Sequence, residues 1–211
     1  MTSAERDRSR RSMHGRQLVC LLLASTVAVS ATQAQPSTAA CGVQRWPVKV
    51  LLDQDTNRVN FTPRVTTVAE LATLPPPEGR TQARRRSAPY ELQTFTVRAR
   101  IRQIRTEPDG DWHLILEDAD GSGATLVAEV PDSVCAQGSP WATTYAEVRR
   151  ALRTIPQRAL VDVTGVGFFD TFHNQRGMAP NNFELHPVLA IKPVATAPPS
   201  ASASIPASSD R

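Results

Sequence analysis

Thr94-Phe-Thr-Val-Arg-Ala-Arg-Ile-Arg-Gln-Ile-Arg105 is the stretch on which the fold turns. Phe95, Val97, Ala99 and Ile101 alternate with Thr96, Arg98, Arg100 and Arg102, the two-residue period of a strand with one buried face. Ile104 falls one residue out of step, as a β-bulge would make it. Asp109-Gly-Asp111 then supplies a turn, and Trp112–Glu117 repeats the alternation with Trp112, Leu114 and Leu116 on one side. Asp118–Gly123 turns the chain again, and Ala124–Val130 makes a third strand, closed by Pro131.

Downstream, Trp141, Tyr145, Val148 and Leu152 fall on one stripe of a helix expected over Pro140–Arg153, with Ser139 as its cap and Pro140 in its first turn. Pro156 ends that pattern. Ala159–Phe169 reads as a fourth strand, bent at Gly165 and Gly167, and Phe183–Ile191 as a fifth. Three strands in a meander, a helix, then two strands is the order of a mainly β chain with one main helix, a five-stranded OB-fold-like barrel whose helix lies between strands 3 and 4. A sandwich-like α+β arrangement of the same elements is the rival.

Upstream, Trp46–Leu52 reads as a strand, Thr67–Glu70 as a capping box opening a short helix, and Gly79–Ala88 as a mobile, arginine-rich loop. Residues 1–34 have the order of a secretory signal peptide: Arg6 to Arg16, an apolar run from Leu18 to Val29, then small residues up to a cleavage point after Ala34. The run is shorter than the roughly 20 residues a bilayer requires, so no transmembrane segment is expected after cleavage. Residues 35–40 form a linker, 41–193 the barrel domain with its N-terminal extension, and 194–211 an Ala/Pro/Ser-rich tail expected to be disordered. The expected location is the periplasm or the exterior. Cys20 lies inside the apolar run and lacks a small residue before it, which argues against a lipid anchor. Cys41 and Cys135 remain, and an oxidising compartment favours pairing them over two free thiols.

Of the net charge of +4, five arginines against Glu5 and Asp7 place +3 in the first 34 residues, so the remainder is nearly neutral. A local run of Arg80, Arg84, Arg85, Arg86, Arg98, Arg100, Arg102 and Arg105 against Glu91 fits either a phosphate-binding patch or a solvated surface.

The candidate ligand-binding residues are Asp109, Asp111, His113, Asp170, His173, Asn181, Glu184 and His186. Imidazole and carboxylate are the usual ligands of zinc and similar ions, so His173, His186 and Asp170 are the candidate metal ligands. The plainer reading makes Asp109 and Asp111 turn formers and His113 and His186 histidines bonded to backbone. The loop Asp170–Asn182 is the segment least like a simple connector, with Phe172 and Met178 as its expected anchors. No cofactor motif is present, and a divalent metal is the one candidate.

Trp46-Pro-Val-Lys49, Asp109-Gly-Asp-Trp-His-Leu114, Val163–Asp170 and Ala179–Leu189 together resemble a group of uncharacterised exported bacterial proteins. That resemblance implies that the segments form one unit and brings no activity. The Asp109-Gly-Asp111 turn is also similar to one in the staphylococcal-type nucleases, although their D-T-P-E segment and their Arg and Glu pair have no counterpart here.

Three functions follow as expectations. The first is an exported, non-catalytic binding module for a polar ligand: an oligosaccharide, a peptide or a nucleic acid. The second is a metal-assisted hydrolase or nuclease with Glu184 as base. The third is an envelope structural or assembly protein whose partner is another envelope protein.

Overall fold

A 14-residue strand, β2 (Gln93–Thr106), is the spine of the molecule in the computed structural model, which describes residues 41, 44–79, 84–172 and 175–195. The segments read as signal peptide and linker, the tail from 196 onward, and His173 lie outside the described residues. β2 is long enough to serve two partners. Thr94–Arg100 pair antiparallel with β5 (Leu160–Phe169), and Ala99–Thr106 pair antiparallel with β3 (Trp112–Asp118). The register slips between Ile101 and Gln103, the bulge that the displaced Ile104 signals in the sequence.

From β3 the ladder continues antiparallel to β4 (Thr125–Val130), parallel to β6 (Phe183–Pro193), and antiparallel to β5, which closes on β2. Five strands thus form a closed barrel with one parallel pair. The main helix, α3 (Ala142–Leu152), lies between β4 and β5 in the chain. This is OB-fold topology. The closing β2–β5 ladder excludes two stacked sheets.

Inward residues fill the barrel: Phe95, Ile101, Leu114, Leu126, Phe183 and Leu185 are all within 1% of complete burial. Phe95 and Phe169 each meet Phe183 edge to face, at 5.7 and 5.0 Å between centroids. Tyr145, Val148 and Leu152 of α3 join this core. Gly167 permits it, because a Cβ there would run into the Tyr90 carbonyl oxygen and lie 2.8 Å from the Phe183 ring.

Four local expectations need correction. Trp46–Leu52 is not a strand: Trp46–Lys49 forms a short helix, α1, with Pro47 in its first turn, where a missing N–H costs nothing. α3 begins two residues later than its sequence suggests, so Ser139 Oγ accepts the Trp141 N–H at 3.2 Å in the preceding turn and does not cap the helix. A sixth strand, β1 (Asn60–Thr66), pairs parallel to β2 around Gln93–Val97, continuing the edge that β3 leaves. Its exposure and Pro63 hide it from periodicity. Finally, Arg86 is not a surface charge; its side chain is fully buried against Asp53 at 2.8 Å.

The Thr67–Glu70 capping box is present and opens α2 (Val68–Leu71). Cys41 and Cys135 are joined by a disulfide with Cα atoms 5.4 Å apart. Among the described residues, no helix is long and apolar enough to cross a membrane.

Candidate functional site

Strand alternation puts the polar residues on the outside of the barrel. Leu114, Ala128 and Leu185 point inward, so His113, Glu129, Glu184 and His186 point outward. The register sets His113 opposite Glu129 and pairs Ala128 with Leu185, so His113, Glu129 and His186 form one row across β3, β4 and β6. Asp111, two residues before His113, extends the same face.

Distances within this group are short. His113 Nδ1 lies 2.9 Å from Glu129 Oε1, and its Nε2 lies 3.3 Å from an Arg105 guanidinium nitrogen. His186 Nδ1 is 3.0 Å from Glu129 Oε2 and 3.9 Å from Glu184 Oε2, while its Nε2 is 3.5 Å from Asp111 Oδ2. Neither ring nitrogen of His186 has a hydrogen-bond partner among the described residues. Lys49 Nζ stands 3.9 Å from Glu129 Oε2 and 5.6 Å from the centre of the Phe168 ring.

In OB barrels the outer face of the second and third strands, with the adjoining loops, takes oligonucleotides and oligosaccharides. Here the corresponding face of β3 and β4 is closed. His113 and Val127 are fully buried, and Ile115 and Glu129 are nearly so. The chain is its own cover: Lys49 lies over Glu129, and Gly177 sits against the Ile115 side chain so tightly that a Cβ would come within 2.6 Å of it. Arg45 anchors this cover through Glu91 and the Phe169 carbonyl oxygen.

Burial and crowding shift the charges. Burial raises the Glu184 carboxyl, and the neighbouring Glu129 and Asp170 add to this, to a pKa of about 8. Burial alone would lower His186, but the carboxyls of Asp111, Glu129 and Glu184 outweigh it and carry the imidazole up to about 10. Glu129 resists its own burial because His113, His186 and Lys49 surround it, and it stays well below the ordinary range. Burial also works against the Lys49 ammonium, and Glu129 leads the acids that raise it nonetheless. Asp109 is raised, first by burial and then by Asp111.

Of the residues singled out in the sequence, Asp111, His113, Glu184 and His186 come together. Asp109 shapes the turn, its Oδ1 accepting the Asp111 N–H at 3.1 Å. Asp170 adjoins the group from the end of β5 and acts on Lys49 and Glu184 through its charge. Asn181 does other work: its amide donates to the carbonyl oxygens of Leu71 and Leu74, tying the loop to α2. Phe172 is 72% exposed and so does not anchor that loop. His113 bonds to the Glu129 carboxylate and His186 stands among carboxylates, where the plainer reading expects bonds to backbone. Glu129 and Lys49 are the central residues that motif reasoning misses. The available signal was a lone glutamate in the apolar strand Thr125-Leu-Val-Ala-Glu-Val130, opposite a histidine.

A second polar surface is open. Arg98, Arg100 and Arg102 project outward from β2, and all three are exposed. Arg98 meets Asp162 at 2.8 Å and Arg102 lies 3.7 Å from Glu117. Lys192, paired across from Asp162, is also exposed, so four cations face two carboxylates.

No family model matches the chain, and no curated protein matches it. Among solved structures it is similar to an asparaginyl-tRNA synthetase of Entamoeba histolytica, with a TM-score of 0.38 and 11% identity over 65% of this chain and 24% of that one. It is also similar to a Leishmania major Friedlin chain described as an aspartyl-tRNA synthetase, with a TM-score of 0.40 and 15% identity over 66% of this chain and 22% of that one. The chain therefore spans under a quarter of the length of either. Scores and identities this low carry no functional inference.

Proposed function

We propose that the chain is an exported, non-catalytic binding module that holds a single-stranded nucleic acid along the outer face of β2. The observation that carries this reading is the arginine row Arg98, Arg100 and Arg102, exposed on an OB barrel whose customary ligand face is closed by its own chain. Alternate positions on a strand recur about every 6.8 Å, a spacing suited to successive backbone phosphates. Arg100 has neither of the carboxylate partners that engage its neighbours. The disulfide supports an oxidising location.

A hydrolytic reading of the buried histidines is disfavoured, because a catalytic metal needs an open coordination position that substrate can reach. His113, His186 and Asp111 have no exposed surface.

Fluorescence anisotropy with a labelled single-stranded oligonucleotide tests the proposal. Binding should weaken as salt rises, and the Arg98→Ala/Arg100→Ala/Arg102→Ala variant should reduce the slope of log K against log salt by about 2, at about 0.7 per lost phosphate contact. No binding at low salt, or binding that the triple variant leaves unchanged, would remove the reading.

A further inference from the structure

Asp111 and Glu129 each have one carboxylate oxygen fixed by the protein and the other facing His186. Asp111 Oδ1 accepts the Asp132 N–H at 3.1 Å, while Asp111 Oδ2 is buried with no hydrogen-bond partner among the described residues. Glu129 Oε1 is held by His113, while Glu129 Oε2 turns toward His186 and Lys49. Glu184 Oε2 and both nitrogens of His186 are likewise buried without a hydrogen-bond partner among the described residues. Buried polar atoms are rarely left so, and several gathered around one imidazole call for a ligand.

We infer that Asp111, Glu129 and His186 form a buried structural site for a divalent transition cation, zinc foremost, with Glu184 in reach as a fourth donor. Suitable atoms of the first three residues all lie within 4.8 Å of one another. Ligand bonds of about 2.0–2.2 Å in tetrahedral array set donor atoms about 3.4 Å apart. His186 offers one ring nitrogen to the ion: its Nδ1 is 3.0 Å from Glu129 Oε2 and its Nε2 is 3.5 Å from Asp111 Oδ2, so the carboxylate at the other edge of the ring reaches it across the 4.8 Å within which the three donors lie. One imidazole with carboxylates suits a borderline cation. His113 acts as the orienting partner of Glu129, the arrangement that metal-ligating carboxylates ordinarily have.

The charge also fits. Asp111, Glu129 and Glu184 as carboxylates against the Lys49 ammonium leave two formal negative charges, which a divalent ion neutralises. Complete burial makes the site structural: the ion would bind the ends of β3, β4 and β6 into one unit. The inference is independent of the arginine face, and its test involves no nucleic acid.

The experiment uses the purified chain, dialysed against a chelator and then against zinc. About one zinc per chain should be retained through gel filtration, and Tm should rise. Asp111→Asn and His186→Gln should each weaken zinc at least tenfold, and His113→Gln by roughly 10–100-fold, as loss of an orienting partner does. Asp111→Asn keeps the acceptor for Asp132, and circular dichroism checks that each variant folds. Absence of zinc and of any Tm change in the parent would overturn the inference, as would zinc held equally well by the folded Asp111→Asn and His186→Gln variants.

Discussion

Arg45 and Glu91 meet in a two-pronged ion pair with both bonds 2.8 Å long and both side chains almost wholly buried. The Glu91 carboxylate also accepts the Ser87 N–H at 2.5 Å and the Phe169 N–H at 2.8 Å, so one side chain joins the N-terminal arm, the loop before β2 and the end of β5. Removing one member of a buried pair strands the other charge, at about 3–5 kcal/mol. Arg45→Leu should lower the unfolding free energy by about that much in urea titrations monitored by circular dichroism. Arg45→Leu/Glu91→Leu should recover part of the loss. A loss below about 1 kcal/mol, the scale of an exposed pair, would show that the arm is not pinned there.

The disulfide restrains the same arm at its other end. Cys41 and Cys135 are 94 positions apart, and a cross-link across about 100 residues removes unfolded-state entropy worth about 4–5 kcal/mol at most. Reduction, or Cys41→Ser/Cys135→Ser, should shift the urea midpoint down while leaving the far-ultraviolet spectrum unchanged at low denaturant, because the barrel ladders do not depend on it. An unchanged midpoint would indicate that residues 41–135 are already constrained in the unfolded chain.

The barrel was legible because apolar inward residues alternate with polar ones in Phe95–Ile101, at Trp112, Leu114 and Leu116, and at Val161 and Val163, even though the outer face of β3 is buried as well. β1 was not, since an exposed edge strand with Pro63 has no face to bury. α1 was misread because Val48 and Val50, buried in a helical turn, alternate as a strand would. Half of the site was visible as scattered His, Asp and Glu residues. Glu129 and Lys49 escaped because their role comes from register and cover, which pair positions far apart in the chain.

Gly177 seals the closed face, and two constraints fall on it together. Its φ of +87° is a conformation that residues with a Cβ resist, and an added methyl would press on Ile115. Gly177→Ala should destabilise the fold by about 2–4 kcal/mol, about 1 from backbone strain and 1–3 from overpacking. Ile115→Ala in the same chain should restore the packing portion only, so the two changes should couple in a double-mutant cycle. Purely additive losses would place the loop elsewhere than on β3.

Stability should fall as pH rises across the neutral range, against the usual behaviour of a buried carboxylate. Glu184 titrates near 4.5 when unfolded and at about 8 when folded, so the fold holds its proton more tightly and loses that contribution between those values. His186, near 6.5 unfolded and raised to about 10 by the acids around it, contributes fully below 6.5 and loses its contribution by about pH 10. Glu129 runs the other way: held well below 4.5, it contributes above that value and loses its contribution in acid. Metal-free chain should therefore be most stable near pH 4.5 to 5, with the unfolding free energy declining by up to about 1.4 kcal/mol per pH unit for each proton the folded state holds in excess. Glu184→Gln cannot ionise and should flatten the decline between pH 5 and 6.5 and make it shallower from there to pH 8, leaving the His186 portion. A profile that rises from pH 5 to 8 in the parent, or one that Glu184→Gln leaves untouched, would show that the two protons are not held where the carboxylates crowd His186.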